Sequence, residues 1–420
     1  MTGPLWKVLP DGWLAGQVKN AATVTLGKML QSKDSGSDVC APYMRAANVQ
    51  PNGVLALDDV NEMWFGEGEL EQLNICAGDV VVVEGGQGGF GRAAYVDKDL
   101  LGWGFQNSIN RLRPIGDFDG RFITFYLIAL RASGFIRAYS NIVSMPHLTA
   151  EKLARIPIPL PPVEVQRAIA SYLDRETTRI DTLIEEQQRL IEMLRERRLA
   201  AIEAAVSDVQ TSGVRLKYII QSVRQGWSPQ CYAWSADGVE TWAVLKAGAA
   251  NGGRFRPMEN KELPSEETPR PGTVVRRGDL VVSRANTRDL VGSAAVVDGD
   301  FPRLMLSDKL YAFTLDEFQV LPRFVAAVLG SRRWRDLIEL EATGASHSML
   351  NVSQANILDL PMPAPPIEEQ RRIIAKLDEQ TARIDQLIME VDRFIEFSRE
   401  RRSALITAAV TGQIDVRQGA

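Results

Sequence analysis

The chain has 420 residues, 45% of them hydrophobic and 24% charged, with a formal net charge of −5. That length can bury two ordinary cores, and the balance is that of a globular protein rather than a disordered or membrane-embedded one. The acidic excess counts against an autonomous nucleic-acid binder, so any DNA contact must be local or shared with a partner.

The N-terminus MTGPLWKVLPDGW lacks the basic-then-apolar order of a signal peptide, and no apolar run approaches the roughly 20 residues that span a bilayer. A cytoplasmic location is expected. Cys40, Cys76 and Cys231 are scattered without metal-ligand spacing, which fits a reducing compartment and argues against a disulfide framework or a zinc site.

Along residues 1–155, the stretch CAGDVVVVEGGQGGFGRAAYV (residues 76–96) reads as a Gly-Asp turn opening a buried strand, a polar loop and a second strand. Gly86, Gly88 and Gly91 have G-x-G-x-x-G spacing, but RAAYV reads as a strand where a phosphate-binding loop needs a helix to begin. NSINRLR predicts a further strand and RFITFYLIAL a short helix, giving a first mixed α/β domain. Residues 156–208 follow as a proline arm and a long helix. Pro157, Pro159, Pro161 and Pro162 impose an extended path, and no proline or glycine interrupts from there to Val206. About 43 residues at 1.5 Å each make a helix of roughly 64 Å.

A second domain over 209–358 repeats the pattern loosely. RRGDLVVSRANTRDLVGSAAVV (residues 276–297), DKLYAFT and RFVAAVLGSR match the earlier strands and helix, with divergence confined to loops. Residues 359–412 repeat the arm and the long helix, Gly412 marking the stop, and 413–420 form a tail. Residues 156–206 and 360–410 align without a gap at an offset of 204, and more than half of the aligned positions are identical. The fold class expected is therefore α+β: two mixed α/β domains separated by two long antiparallel helices, built by an internal pseudo-two-fold duplication.

Each long helix carries a heptad stripe widened to a third position. It comprises Ile169, Leu173, Ile180, Leu183, Ile184, Leu190, Ile191, Leu194 and Ile202 in the first. In the second it comprises Ile373, Leu377, Ile384, Leu387, Ile388, Val391, Phe394, Ile395 and Ile406. A stripe this wide needs a partner helix, and its own duplicate is the obvious one. Arg197, Arg198, Arg401 and Arg402 recur at equivalent places and are candidates for docking a partner subunit or DNA phosphates, against the default of a solvated face.

The paired entries PLPPVEVQ and PAPPIEEQ, the two Gly-Asp strand motifs, and the segments GWSPQC, WAVLKAG and ENKELP resemble the DNA-specificity subunit of type I restriction-modification systems. The resemblance covers nearly the whole chain. It implies two target-recognition domains, each reading one half of a split site on double-stranded DNA, and long helices that dock two methyltransferase subunits and, through them, restriction-translocase subunits. It further implies that the chain is not catalytic and binds no cofactor, S-adenosylmethionine, ATP and Mg belonging to the partners. A structural coiled-coil adaptor with protein-binding end domains is the alternative, and a self-contained methyltransferase is weaker because no room remains for a cofactor domain.

Base edges in the major groove call for Arg or Lys against guanine and Asn or Gln against adenine, on exposed loops. In the first domain this selects Gln87 and Arg92 in the glycine-rich loop, with Arg45, Gln106 and Asn107. In the second it selects Arg284, Asn286 and Arg288 in the equivalent loop. Lys246, Asn251, Arg254 and Arg256 lie beside WAVLKAG, and Ser307 and Lys309 precede the following strand. His347, in TGASHSML, is a candidate phosphate contact. Glu259-Asn260-Lys261 echoes half of a nuclease motif, but lacks its Pro-Asp partner and reads as a surface loop. His147 and His347 supply neither a triad nor a metal cluster, and no ATP-binding loop is present.

Overall fold

The computed structural model describes residues 2–86, 89–140, 147–207, 209, 211–346 and 349–416. Its chain divides into two compact units, Met1–Gln187 with Arg393–Ala420, and Gln188–Asp392. Each unit takes one domain, the first part of the long helix that follows that domain, and the last part of the other.

In the first unit, four antiparallel strands form a sheet in the order Ala22–Leu26, Ile109–Pro114, Val80–Val83, Ala93–Tyr95. Strand Val80–Val83 is buried on both faces, as its unbroken valine run requires. Val80 and Val82 pack with Leu112 against Phe122, Ile123 and Tyr126 of helix Gly120–Ala132, while Val81 and Val83 join Met44, Phe105 and Ile109 on the other side. A second sheet sets Val39–Met44 antiparallel to Asn61–Phe65 and parallel to Gly104–Phe105.

The second unit repeats both sheets. The larger runs Ile220–Gln225, Leu310–Leu315, Leu280–Ser283, Ala294–Val296, and the smaller sets Ala243–Leu245 between Asn260–Glu262 and Leu304–Met305. Helix Pro322–Gly330 takes the place of Gly120–Ala132. Asn260 is fully buried, bonding Ala236 and Pro257 through its side chain, so the segment expected to be a surface loop is instead a strand that anchors this sheet.

The Gly-Asp turns behave alike in both units. Gly78 and Gly278 sit at φ 92° and 88°, open only to glycine at low cost. The buried Asp79 and Asp279 then accept the backbone N–H groups of Cys76 (2.8 Å) and Arg276 (2.6 Å).

The proline arms become short strands. Pro157–Leu160 pairs with Leu14–Gln17 in the first unit, and Pro361–Pro363 with Thr211–Arg215 in the second. Each releases into a 44-residue helix, Val163–Val206 and Ile367–Val410, about 66 Å long at 1.5 Å per residue. The repeated glutamine at each helix start explains the motif. Gln166 accepts the Asp119 N–H (3.0 Å) and donates to the Pro161 carbonyl (2.8 Å). Gln370 accepts the Leu321 N–H (2.9 Å) and donates to the Pro365 carbonyl (2.8 Å). Both are fully buried, and each ties arm, domain helix and long helix at one point. A second tie joins domain helix to long helix: Arg121 to Asp174 (3.0 Å) and Arg323 to Asp378 (2.5 Å).

The long helices pack antiparallel. In the first unit Ile169 and Leu173 share a core with Ile406, Ala409 and Val410; in the second Ile202 and Val206 share one with Ile374 and Leu377. The seam is narrower than the expected three-position stripe. Ile169, Leu173, Ile180, Ile184, Ile191, Leu194, Leu377, Ile384, Val391 and Ile395 are buried, whereas Leu190 and Ile373 are half-buried. Leu183, Leu387 and Phe394 are 38%, 40% and 46% exposed, which removes them from the packing contact. Buried positions alternate by three and four through Leu173, Thr177, Ile180 and Ile184, and a residue one place off that rhythm points about 100° away from the seam.

Candidate DNA-recognition surface

Three segments converge in each unit. In the first, the Ala46 N–H donates to Ser108 Oγ (3.2 Å), the Gln106 N–H donates to the Met44 carbonyl (2.9 Å), and Arg92 donates to the Val49 carbonyl (3.4 Å). Residues 44–49, the turn at 106–108 and Arg92 are thereby held together. In the second, the Arg284 N–H donates to the Lys309 carbonyl (2.8 Å), its guanidinium donates to the Asp308 carbonyl (3.1 Å), and Asn286 Nδ2 donates to Asn251 Oδ1 (3.1 Å). This gathers residues 246–251, 284–286 and 307–309.

Arg45 and Lys246 occupy the same place, each at the residue before a short 3-10 turn that leaves the small sheet. Arg45 pairs with Asp59 at 2.5 Å, while the Lys246 side chain has no hydrogen bond or ion pair among the described residues. Behind the first surface lies the buried Arg111. It stacks on Phe105 at 5.4 Å and donates to the carbonyls of Gln72 and Asn74, and burial presses its guanidinium below the usual arginine range.

Residues 10–193 match the family model described as the type I restriction modification DNA specificity domain. Relatives extend the likeness. The EcoEI specificity subunit of Escherichia coli is 30% identical over 196 residues, an alignment spanning 47% of this chain and 33% of that protein. The StySPI subunit of Salmonella potsdam is 22% identical over 97% of this chain and 90% of its own length. The EcoKI subunit of Escherichia coli (strain K12) is 21% identical with the same coverage. Residues 10–193 thus resemble a type I restriction modification DNA specificity domain, and the weaker likeness to whole specificity subunits runs along nearly the full chain. A solved chain from work on complex assembly and conformational transition of the type I R-M system agrees in fold, with a TM-score of 0.65 at 19% identity, covering 97% of this chain and all of that one.

On this scaffold the sequence candidates sort by exposure. Arg254 and Arg256 are exposed, Lys246 and Lys309 are half-buried, and none of the four side chains is engaged among the described residues. Arg288 is exposed and paired with Glu339. Gln106 and Asn107 are half-buried at the turn between two strands. Ser307 departs from the expectation: it is buried, its hydroxyl reaches no partner among the described residues, and it cannot present itself to a ligand in this conformation. Gln87 and His347 lie outside the described residues. Strand Met349–Asn351 pairs with Ala285–Asn286 on one side and with Thr343–Ser346 on the other. His147 bridges Gly85 in the first unit and bonds Glu84 at 2.9 Å.

The paired arginines divide as well. Arg197 and Arg401 are exposed, as docking residues would be. Arg198 and Arg402 are not: they turn inward, Arg198 to Asp385 at 3.0 Å and Arg402 to Asp181 at 2.9 Å. Spacing alone did not separate the two, because neighbouring helix positions differ by about 100° in direction. Among the described residues no group of His, Cys, Asp and Glu has the geometry of a metal site, and no helix is long and apolar enough to cross a membrane.

Proposed function

We propose that this chain reads a split site on double-stranded DNA, one unit per half, on behalf of methyltransferase subunits that dock on its long helices. One observation carries the reading: the same three segments converge in both units while the side chains they present differ, which is what two reading heads of unlike specificity require. Arg92, Gln106 and Asn107 serve one head, with Arg45 beside them; Lys246, Asn251, Arg254, Arg256, Arg284, Asn286, Arg288 and Lys309 serve the other. Arginines and lysines without an internal partner suit phosphates, and the Asn286–Asn251 amide pair suits an adenine edge.

The chain itself is not catalytic in this reading. Methyl transfer from S-adenosylmethionine, and ATP- and Mg-dependent translocation where restriction subunits are present, belong to the partners, in the cytoplasm. Docking is supported by large apolar side chains left open on both long helices, Leu183, Met193 and Leu199 on one and Leu387, Met389, Phe394 and Phe397 on the other, beside Arg197 and Arg401.

Gel-shift competition with random duplexes, the methyltransferase present, tests this: a consensus of two fixed blocks around an indifferent gap supports it, and the absence of any DNA preference leaves the adaptor. Exchange of residues 276–359 for those of a related subunit should rewrite one block and leave the other block and the gap unchanged. A hybrid altered in both blocks would show that the heads do not read independently.

A further inference from the structure

Two inward arginines do more than close the seam. Arg198 binds the Asp385 carboxylate through Nε (3.0 Å) and donates its second arm to the Gly252 carbonyl (2.8 Å). Arg402 does the same with Asp181 (2.9 Å) and the Asn52 carbonyl (3.5 Å). The helix partners are identical in the two repeats. The gripped loops are not: Gln50-Pro51-Asn52-Gly53 in one unit, Ala250-Asn251-Gly252-Gly253 in the other.

The contact tolerates this divergence because it uses a backbone carbonyl, which every residue has. Both loops turn through the left-handed region at the gripped residue, Asn52 at φ 66° and Gly252 at φ 72°. A candidate reader bonds just before one gripped loop and within the other. Arg92 donates to Val49, three residues before Asn52, and Asn286 donates to Asn251, the neighbour of Gly252. A planar guanidinium can hold a carboxylate with one edge and a carbonyl with another at fixed angle, which a lysine ammonium on a flexible stem does not reproduce.

We propose that Arg198 and Arg402 are positioning residues: each, oriented by its aspartate, fixes the recognition loop of its own unit on the long helix and so sets where that unit's base-reading side chains stand. The loop sequence is free to change while its seat stays constant. This rests on the recognition reading above, and each arginine should govern one half of the recognised sequence.

The test uses the full chain assembled with its methyltransferase partner and selection from a random duplex library, wild type in parallel. Arg198→Ala should lower base selectivity about tenfold in one block and leave the other at its wild-type level, and Arg402→Ala should do the converse. Arg198→Lys should resemble Arg198→Ala. Equal losses in both blocks, or unchanged selectivity in a folded variant, would overturn the proposal. Should Arg198→Ala fail to assemble, the near-isosteric Asp385→Asn should give the same one-sided loss in weaker form, and a two-sided loss counts against the proposal. Amide hydrogen exchange gives a readout without DNA: residues 247–253 should exchange faster in Arg198→Ala while residues 46–53 do not change, and exchange equal to wild type in both loops overturns it. A wild-type complex that selects no split sequence refutes the recognition reading, whereas a normal wild type with unaffected variants refutes only the positioning role.

Discussion

The two units agree atom for atom in some places and only in chemistry in others. Gln166 and Gln370 make matching bonds at matching positions. The cations that serve the Gly-Asp turns do not. In the first unit Arg113 pairs with the buried Asp79 (2.7 Å) and Arg111 caps the Asn74 carbonyl, both from strand Ile109–Pro114. In the second, a single residue on the neighbouring edge strand, Arg224, pairs with Asp279 and caps the Val274 carbonyl (2.5 Å). The strand positions that held the first pair have become Ala312 and Thr314, the latter donating to Asp279 at 3.1 Å. A buried carboxylate must have a partner, but the backbone does not dictate which strand supplies it. The demand is common to the two units; the residue that meets it is not.

Four measurements would break or sharpen that comparison. The largest effect belongs to the feature the units hold most nearly in common. Ile184→Asp with Ile384→Asp puts a charge into the buried seam of each unit and should cost several kcal/mol, abolishing cooperative melting, whereas Leu183→Asp with Leu387→Asp should leave the melting temperature close to wild type. Comparable losses in the two double variants would mean that the seam includes the third stripe position after all.

The cation exchange comes next. Arg224→Ala removes the charged partner of Asp279, leaving it only the Thr314 hydroxyl and the Arg276 N–H, together with the donor to the Val274 carbonyl, and should cost about 3–5 kcal/mol in denaturant titration, more than either Arg111→Ala or Arg113→Ala alone. Adding Thr314→Arg, which restores the first unit's arrangement, should recover part of the loss. No recovery would show that the two solutions are not interchangeable.

Gln166→Ala and Gln370→Ala should then cost about 1–3 kcal/mol each, and by similar amounts, since each removes the partner of one domain-helix N–H and one proline-arm carbonyl, Gln370→Ala releasing the Gln319 carbonyl as well. Markedly unequal losses would contradict their equivalence. The smallest effect is expected at Arg288→Ala, where an exposed ion pair with Glu339 contributes at most about 1 kcal/mol. Its consequence should show instead as a shallower salt dependence of DNA binding.

The sequence carried most of this architecture because duplication doubles every signal. Gly-Asp turns, the strands they open and the proline-to-glutamine entry each appear twice, the first two at an offset of 200 and the last at 204, and each forms as read. What escaped were matters of direction and distance. A heptad pattern gives the rhythm of a seam but not which flank is covered, so Leu183, Leu387 and Phe394 looked buried. Arg198 and Arg402 looked available because their partners stand 187 and 221 residues away in the chain. Glu259-Asn260-Lys261 looked like a loop because the prolines around it are adjacent and the strand that pairs it, Ala243–Leu245, is not. On the reading surfaces, residue type suggested the candidates, yet only the fold showed that Ser307 is enclosed.

The ties from Arg121 to Asp174 and from Arg323 to Asp378 bear on a choice the seam alone leaves open. Asp174 precedes Asp181 by one heptad, and Asp378 precedes Asp385 by the same step. An isoleucine-rich seam tolerates slippage by seven residues, and in one direction that slip would bring Arg402 opposite Asp174 and Arg198 opposite Asp378, with charges still matched. The domain helices close this route, because their own arginines already occupy those two carboxylates. Alignment of the long helices is thus decided from outside the helix pair, by the domains they carry.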